Sequence, residues 1–196
     1  SEAISADDHG SVSKLLTMAE NAEDSEFQAV LRRVRSVDAD SGCPVVGLTG
    51  TGGAGKSSLT DELMLRIQRD NPGAKVALLA TDPTRKRTGG ALLGDRIRMN
   101  SLADDNLFMR SFASRASGRE IADCIGRAIE ACQAVGFDLI LVETSGIGQG
   151  NDAITEVADL SMYVTTREYG APSQLEKLAA LDFADLVVLN KFDRPG

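Results

Sequence analysis

From residue 44 onward, short apolar runs alternate with stretches in which apolar residues recur every three or four positions. A nearly continuous apolar run such as residues 138–142 predicts a strand that is covered on both faces. The spacing of Leu59, Leu63 and Ile67 predicts a helix, and residues 121–132 show the same spacing. The predicted strands are residues 45–49, 75–80, 107–112, 137–142, 160–165 and 186–189. This alternation predicts an α/β fold with a mostly parallel sheet flanked by helices.

Residues 1–43 differ from the rest, because they lack a strand pattern and hold nine acidic but only four basic residues. Apolar positions at helical spacing predict two short helices, one around Leu15 and one between Phe27 and Val34. Two interpretations stay open: a helical lead-in that packs on the following domain, or a linker from an upstream domain. In either case residues 44–196 are predicted to form the α/β domain.

The composition fits one folded domain. A chain of 196 residues with 42% apolar residues can bury a sizeable core. The net charge of −8 argues against a nucleic acid or an anionic membrane as partner, since phosphate surfaces attract Lys and Arg. No apolar run approaches the roughly 18 to 20 residues of a membrane span. We therefore expect a soluble, cytoplasmic protein.

The three cysteines, Cys43, Cys124 and Cys132, do not have the spacing of metal ligands. Buried thiols in a reducing compartment are the better interpretation, because free cysteines are among the most buried residues. The lone His9 lies far from every motif described below and receives no role.

The first predicted strand leads into a glycine-rich loop, GTGGAGKS at residues 50–57, and the loop leads into a helix. This is the pattern and the context of a P-loop, whose N–H groups and helix N-terminus bind phosphate. Lys56 is expected to reach the β- and γ-phosphates, and Ser57 to bind Mg²⁺. Thr51 stands where ATPases with a deviant P-loop carry a lysine, which disfavours that branch. The residues predicted to bind nucleotide here are Gly52, Gly53, Ala54, Gly55, Lys56, Ser57 and Ser58. The fold predicted is thus a P-loop NTPase preceded by a helical segment.

The last predicted strand is followed by Asn190-Lys191-Phe192-Asp193, where a base-reading loop is expected. The carboxylate of Asp193 can accept hydrogen bonds from both N1–H and the exocyclic amine of guanine, a donor pair that adenine lacks. Lys191 would cover the base with its stem, and the Asn190 amide would tie this loop to the P-loop. The pattern therefore predicts GTP and GDP as ligands.

Three carboxylates follow predicted strands or lie in a glycine-rich stretch: Asp82, Asp95 and Glu143. Mg²⁺ on a nucleotide takes oxygen ligands from one or two protein groups. Asp82 and Glu143 leave adjacent strand ends near Ser57, so both are candidates. The basic, glycine-containing stretch 82–95 suits a switch ordered by the γ-phosphate, with Arg98 as a nucleotide contact. Glu143 and Lys56 are candidate catalytic residues, as is Gln149, which would position the attacking water.

Several motifs within residues 44–193 resemble one known family. They are Thr81-Asp-Pro83, Arg87-Thr-Gly-Gly90, Leu93-Gly-Asp95, Arg98-Met99, the run 137–143 with Thr144, and Gly148-Gln149. Together they look like the methylmalonyl-CoA-mutase-associated GTPases, G-protein chaperones of adenosylcobalamin-dependent acyl-CoA mutases. Residues 49–61 are more similar still to the GTPase domain of the fused isobutyryl-CoA mutases. In those proteins one chain also holds a cobalamin-binding domain and the mutase, an isomerase.

The resemblance implies that GTP hydrolysis gates the loading of adenosylcobalamin into a mutase, in the same chain or a separate one, and the release of damaged cofactor. It implies Mg²⁺ contacts at Ser57, Asp82, Asp95 and Glu143, a nucleotide contact at Arg98, and a homodimer in the full protein. It also matches residues 165–178, with Arg167, Glu168 and Tyr169, to a third switch that responds to the mutase. An ordinary strand-to-helix loop is the alternative for that segment.

The sequence departs from the family pattern in three respects. It stops three residues after Asp193, before the loop that would cap guanine and the last strand. It holds no cobalamin-binding Asp-x-His-x-x-Gly motif, so we expect a fragment of a longer chain. Residues 173–176 also differ from the glycine-rich version of the stand-alone chaperones. The two rival hypotheses are a nucleotide-gated interaction module with negligible turnover and a small-molecule P-loop kinase.

Overall fold

The computed structural model describes residues 4–34, 42–82, 105–113, 118–144, 154, 156–167, 182 and 184–192. The helices are α1 (His9–Asn21), α2 (Asp24–Val34), α3 (Lys56–Asp70) and α4 (Gly118–Val135). The strands are β1 (Val45–Gly50), β2 (Val76–Asp82), β3 (Leu107–Ala113), β4 (Leu139–Glu143), β5 (Leu160–Thr166) and β6 (Leu186–Asn190). All six predicted strands are present, with ends that differ by one or two residues.

The six strands form one sheet in the order β3-β2-β4-β1-β5-β6, and every neighbouring pair is parallel. The predicted α/β fold with a parallel sheet is therefore confirmed. Strand β4 lies between β1 and β2, and Glu143 at its end is in register with Leu48 on one side and Ala80 on the other. The carboxyl ends of β1, β2 and β4 thus meet at one edge of the sheet, where ligands of such folds bind.

Helices cover both faces of the sheet, which explains the continuous apolar runs. On one face, Leu48, Leu78 and Leu141 pack in a cluster with Met64 of α3. On the other face, the alternate strand residues, such as Ile140, join the residues of α1, α2 and α4. The side chains of both clusters are buried.

The two N-terminal helices belong to the larger of these clusters. Their buried residues are Val12, Leu15, Leu16, Ala19, Phe27 and Val34. Arg127 of α4 donates hydrogen bonds to the carbonyls of Met18 (3.3 Å) and Ala22 (2.8 Å), at the end of α1, and its guanidinium lies 4.7 Å from the ring of Phe27. The N-terminal segment therefore packs on the α/β domain, whereas the domain division at residue 44 stays a prediction.

His9 and the cysteines take part in packing. The His9 ring meets the ring of Phe108 edge-on, with 5.3 Å between the centroids. Cys132 is buried, as predicted, while Cys43 and Cys124 are half-buried, and all three are free thiols. Burial raises the pKa of Cys43 to about 12 and raises that of Cys132 as well, which disfavours the thiolate form of both. In the part of the chain that the structure describes, no helix combines the length and apolar character needed to cross a bilayer.

An aspartate stands immediately before each of β4, β5 and β6, and its carboxylate accepts a backbone N–H from the start of the neighbouring strand. The pairs are Asp138 with Lys75 (2.8 Å), Asp159 with Val45 (2.8 Å) and Asp185 with Ser161 (2.7 Å). These bonds satisfy N–H groups at the amino edge of the sheet and favour the observed register.

We expect the change Asp159→Ala to lower the free energy of unfolding by about 1 to 2 kcal/mol, because the N–H of the buried Val45 loses its carboxylate acceptor. Urea unfolding followed by circular dichroism measures the difference. Asp159→Asn is the matched control, because its amide oxygen can still accept the bond, and it should cost clearly less. Equal losses for the two variants would contradict the role given to the hydrogen bond.

Candidate functional site

The phosphate loop connects the end of β1 to the start of α3. Three of its glycines have positive φ angles, namely Gly50 (137°), Gly53 (75°) and Gly55 (91°). The Thr51 N–H donates to the carbonyl of Val164 at 3.1 Å, which anchors the loop to β5. Gly52, Gly53, Ser57 and Ser58 are exposed, and Ala54 is buried. The loop therefore places the first N–H groups of a 15-residue helix at the carboxyl edge of the sheet, an arrangement suited to an anion.

Lys56 folds back over this loop. Its Nζ donates to the carbonyls of Gly50 and Thr51, both at 3.1 Å, and only 7% of the residue is exposed. Burial lowers the pKa of Lys56, and the nearby Glu143 carboxylate opposes that shift. A phosphate oxygen at the loop would offer this buried ammonium an anionic partner, which makes a stronger hydrogen bond than a carbonyl.

Glu143 ends β4 opposite the first turns of α3. Its Oε1 accepts a hydrogen bond from the Ser57 hydroxyl at 2.6 Å, and its Oε2 accepts one from the Thr60 hydroxyl at 3.2 Å. Glu143 is 8% exposed and Thr60 is fully buried. The sequence analysis singled out Ser57 and Glu143 but missed Thr60. Its signal was the spacing of three residues from Ser57, which places both hydroxyls on one face of a helix.

The residues at this position fit a magnesium ion held jointly with a nucleotide. The hydroxyl of Ser57 and the carboxylate of Glu143 are hard oxygen donors, and they lie 2.6 Å apart beside the phosphate loop. Among the described residues, no group of three or more His, Cys, Asp or Glu side chains could hold a metal by itself. Mg²⁺ with few protein ligands matches such a set, because phosphates and waters complete its coordination. Asp82 ends β2, the neighbour of β4, so its backbone lies at the same edge of the sheet.

The loop predicted to read the base touches the phosphate loop. Asn190 Nδ2 donates to the Ala54 carbonyl at 2.8 Å, and Lys191 Nζ donates to the Gly53 carbonyl at 2.5 Å. Lys191 has a φ of 55°, which is rare for a residue with a side chain. Gly55 has a φ of 91°, and a Cβ there would come within 2.6 Å of Asn190 Nδ2, so both the backbone angle and the contact favour glycine. The two motifs, separated by more than 130 residues in the sequence, thus form one continuous surface.

Other predicted site residues lie outside the described part of the chain: Asp95, Arg98, Gln149, Asp193 and the side chain of Asp82. Of the predicted third switch, the structure describes only its first residues, where β5 ends at Thr166 and the exposed Arg167 follows. The binding and catalytic roles assigned to all these residues, and to the described ones, stay predictions.

Comparison with known proteins places this site in a family. The family model described as "Methylmalonyl Co-A mutase-associated GTPase MeaB" matches residues 12–196. A fused isobutyryl-CoA mutase of Geobacillus kaustophilus (strain HTA426) is 50% identical in an alignment of 202 positions, which covers 100% of this chain and 18% of that protein. The fused isobutyryl-CoA mutase of Cupriavidus metallidurans is 51% identical over 197 residues, with the same coverage of 100% and 18%. The chain thus spans about a fifth of the length of these relatives.

A solved structure shows the same fold. The crystal structure of a LAO/AO transport system kinase superposes with a TM-score of 0.67 at 22% identity, covering 97% of this chain and 54% of that one. At this identity the likeness concerns the fold and not the activity. The assignment rests on the family model, which matches nearly the whole chain, and on relatives that are 50% and 51% identical in sequence. This chain belongs to the family of methylmalonyl-CoA mutase-associated GTPases, the MeaB family.

Proposed function

We propose that this chain is a magnesium-dependent GTPase domain that acts as a G-protein chaperone for an adenosylcobalamin-dependent acyl-CoA mutase. One observation carries the nucleotide part of the proposal. Asn190 and Lys191 of the base-reading motif donate hydrogen bonds to the backbone of the phosphate loop. A phosphate site and a guanine site would thus be held side by side, at a distance that one nucleotide can span.

The residues divide the work of binding and hydrolysis between them. The N–H groups of the loop and the Lys56 ammonium would hold the β- and γ-phosphates. They would also offset the negative charge that develops while the γ-phosphoryl group is transferred to water. Ser57 and Glu143 would hold Mg²⁺ directly or through water, with Asp82 and Asp95 as further contacts. When bound, Mg²⁺ supplies positive charge to the phosphate oxygens. Gln149 would position the attacking water, and Arg98 would contact the nucleotide.

The partner assignment rests on the relatives. Two proteins at 50% and 51% identity are named fused isobutyryl-CoA mutase, and this chain aligns with 18% of each. We therefore assign it a mutase of the isobutyryl-CoA or methylmalonyl-CoA type, in the same longer chain or in a separate one. Adenosylcobalamin is the cofactor of that mutase and is not bound by the residues described above. A cytoplasmic location and a homodimeric full protein complete the proposal.

The nucleotide part is tested by calorimetric titration of GTP, GDP and ATP in the presence of Mg²⁺. We expect guanine nucleotides to bind at least about 100-fold more tightly than ATP, because each hydrogen bond to the Asp193 carboxylate contributes about 1.5 to 3 kcal/mol. Asp193→Asn should reduce this preference by at least about tenfold. Asp185→Asn is the matched control at the opposite end of β6, where the carboxylate accepts hydrogen bonds from the N–H and hydroxyl of Ser161, and it should leave the preference unchanged.

Equal affinity for ATP and GTP would contradict the guanine assignment and favour the kinase hypothesis. Phosphate release from GTP, with and without an acyl-CoA mutase, tests the hydrolytic part. Release that stays negligible in both cases would leave a nucleotide-gated interaction module in place of a GTPase.

A further inference from the structure

The most informative contact outside the predicted site residues is made by Thr60. This residue lies on α3, one helical turn beyond Lys56, and none of its surface is exposed. Its hydroxyl has a single proton and two acceptors within reach, the Lys56 carbonyl at 3.0 Å and Glu143 Oε2 at 3.2 Å. The first contact is ordinary for a helical threonine, whose hydroxyl often bonds the carbonyl four residues earlier. The second contact connects the interior of α3 to the carboxylate at the end of β4.

The two oxygens of Glu143 are held by two hydroxyls of the same helix. Ser57 is exposed and contacts Oε1, whereas Thr60 is fully buried and contacts Oε2. Ser57 can therefore turn toward a ligand in the phosphate loop, but Thr60 cannot. While Ser57 binds a ligand, the Thr60 hydroxyl stays in contact with Oε2 of Glu143. Partners of this kind set the direction in which a ligand group presents its free lone pairs.

We propose that Thr60 is a positioning residue, whose hydroxyl orients the Glu143 carboxylate toward Ser57 and thereby sets the affinity of the site for Mg²⁺. The inference rests on the proposed function, since it concerns the magnesium site of a nucleotide-binding protein. Without the Thr60 hydroxyl, Oε2 loses this contact, and the orientation of the carboxylate toward Ser57 is less strictly defined. Mg²⁺ then meets a less well ordered set of oxygens.

The test measures the affinity for fluorescently labelled GDP, first in EDTA and then at increasing Mg²⁺ concentrations. The quantity compared between variants is the Mg²⁺ concentration at which half of the increase in affinity is reached. Thr60→Val removes the hydroxyl while keeping the shape of the side chain, and it should raise this concentration about tenfold. Affinity in EDTA should not change. Thr60→Ser keeps the hydroxyl and should stay within about twofold of the wild-type value.

A second arm shows whether Thr60 acts through Glu143. In a Glu143→Gln background, adding Thr60→Val should cause no further change, because the carboxylate that Thr60 orients is already gone. An equal shift in both backgrounds would overturn the inference. So would a folded Thr60→Val protein whose Mg²⁺ requirement stays within twofold of wild type. If Thr60→Val fails to fold, Thr60→Ala, which also lacks the hydroxyl, carries the same expectation.

The two proposals fail in different ways. Wild-type protein whose GDP binding does not respond to Mg²⁺ would contradict the proposed function itself. Wild-type protein that responds normally, with a Thr60→Val variant that responds equally well, would contradict only the role of Thr60.

Discussion

Replacing Lys56 with methionine is expected to weaken the binding of GDP and GTP by at least about 100-fold while leaving the protein folded. The Lys56 ammonium lies over the phosphate loop, held by the carbonyls of Gly50 and Thr51. Its hydrogen bonds to phosphate oxygens would be charge-assisted on both sides, and preorganised donors of this kind are worth about 3 to 4 kcal/mol. Methionine keeps most of the apolar stem and removes only the charge. Calorimetric titration gives the change in affinity.

The stability of the same variant should change little. Burial lowers the pKa of Lys56, so the folded protein holds this charge at a cost, and removing it relieves that cost. Two carbonyls lose a donor in exchange, which opposes the gain. We expect the free energy of unfolding, measured without added nucleotide, to differ from wild type by no more than about 2 kcal/mol.

Lys75→Met is the matched control for this experiment. Lys75 precedes β2 at the amino edge of the sheet, and its Nζ pairs with the exposed carboxylate of Asp7 at 2.7 Å. Losing an exposed ion pair of this kind changes stability by at most about 1 kcal/mol and should leave nucleotide affinity unchanged. If Lys56→Met bound GDP as well as Lys75→Met does, Lys56 would have no role in holding the phosphates.

Replacing Gly50 with alanine is expected to lower the free energy of unfolding by more than about 4 kcal/mol, a large part of the about 5 to 15 kcal/mol that stabilises a typical domain. Gly50 has a φ of 137°, and a Cβ at this position would lie 1.9 Å from the carbonyl oxygen of Val164. That oxygen belongs to β5, which is paired with β1 through Gly50 itself. Neither strand can move away without breaking the pairing in the middle of the sheet. Urea unfolding, or the yield of folded protein, measures the loss.

Gly53→Ala separates the clash from the backbone angle. Gly53 lies in the same loop with a φ of 75°, but a Cβ there meets no heavy atom within 4 Å. It should therefore cost only the strain of a left-handed residue, about 1 to 2 kcal/mol. Similar losses for the two variants would show that the φ angle, and not the contact with Val164, governs the requirement for glycine.

The hydrophobic pattern was enough to predict the elements of this fold. The central strands β1, β2 and β4 have residues buried on both faces and appear as continuous apolar runs, while α3 shows the spacing of a helix with one buried face. The phosphate loop and the Asn190-Lys191 motif were also legible in the sequence, because their chemistry depends on local residues in a fixed order. The strand ends were the least accurate part. Phe137, for example, is buried but lies outside the paired region of β4.

Other features depend on residues that are distant in the sequence. The order of the strands places β4 between β1 and β2, and only this order puts Glu143 opposite Ser57. The spacing from Ser57 places Thr60 on the same face of α3, but no local pattern identifies its second partner, Glu143, which lies 83 residues away. The same holds for Arg127, whose contacts with the end of α1 attach the N-terminal helices to the domain.

The sequence by itself determined the α/β class, the six strands, the phosphate loop and the family resemblance, since each is encoded in local periodicity or in a contiguous motif. Only the tertiary structure decided which motifs touch, which residue orients Glu143, and how residues 4–34 pack. Those outcomes depend on strand pairing and helix docking. These bring together side chains that the linear sequence keeps far apart, and their energies depend on contacts that no short segment contains.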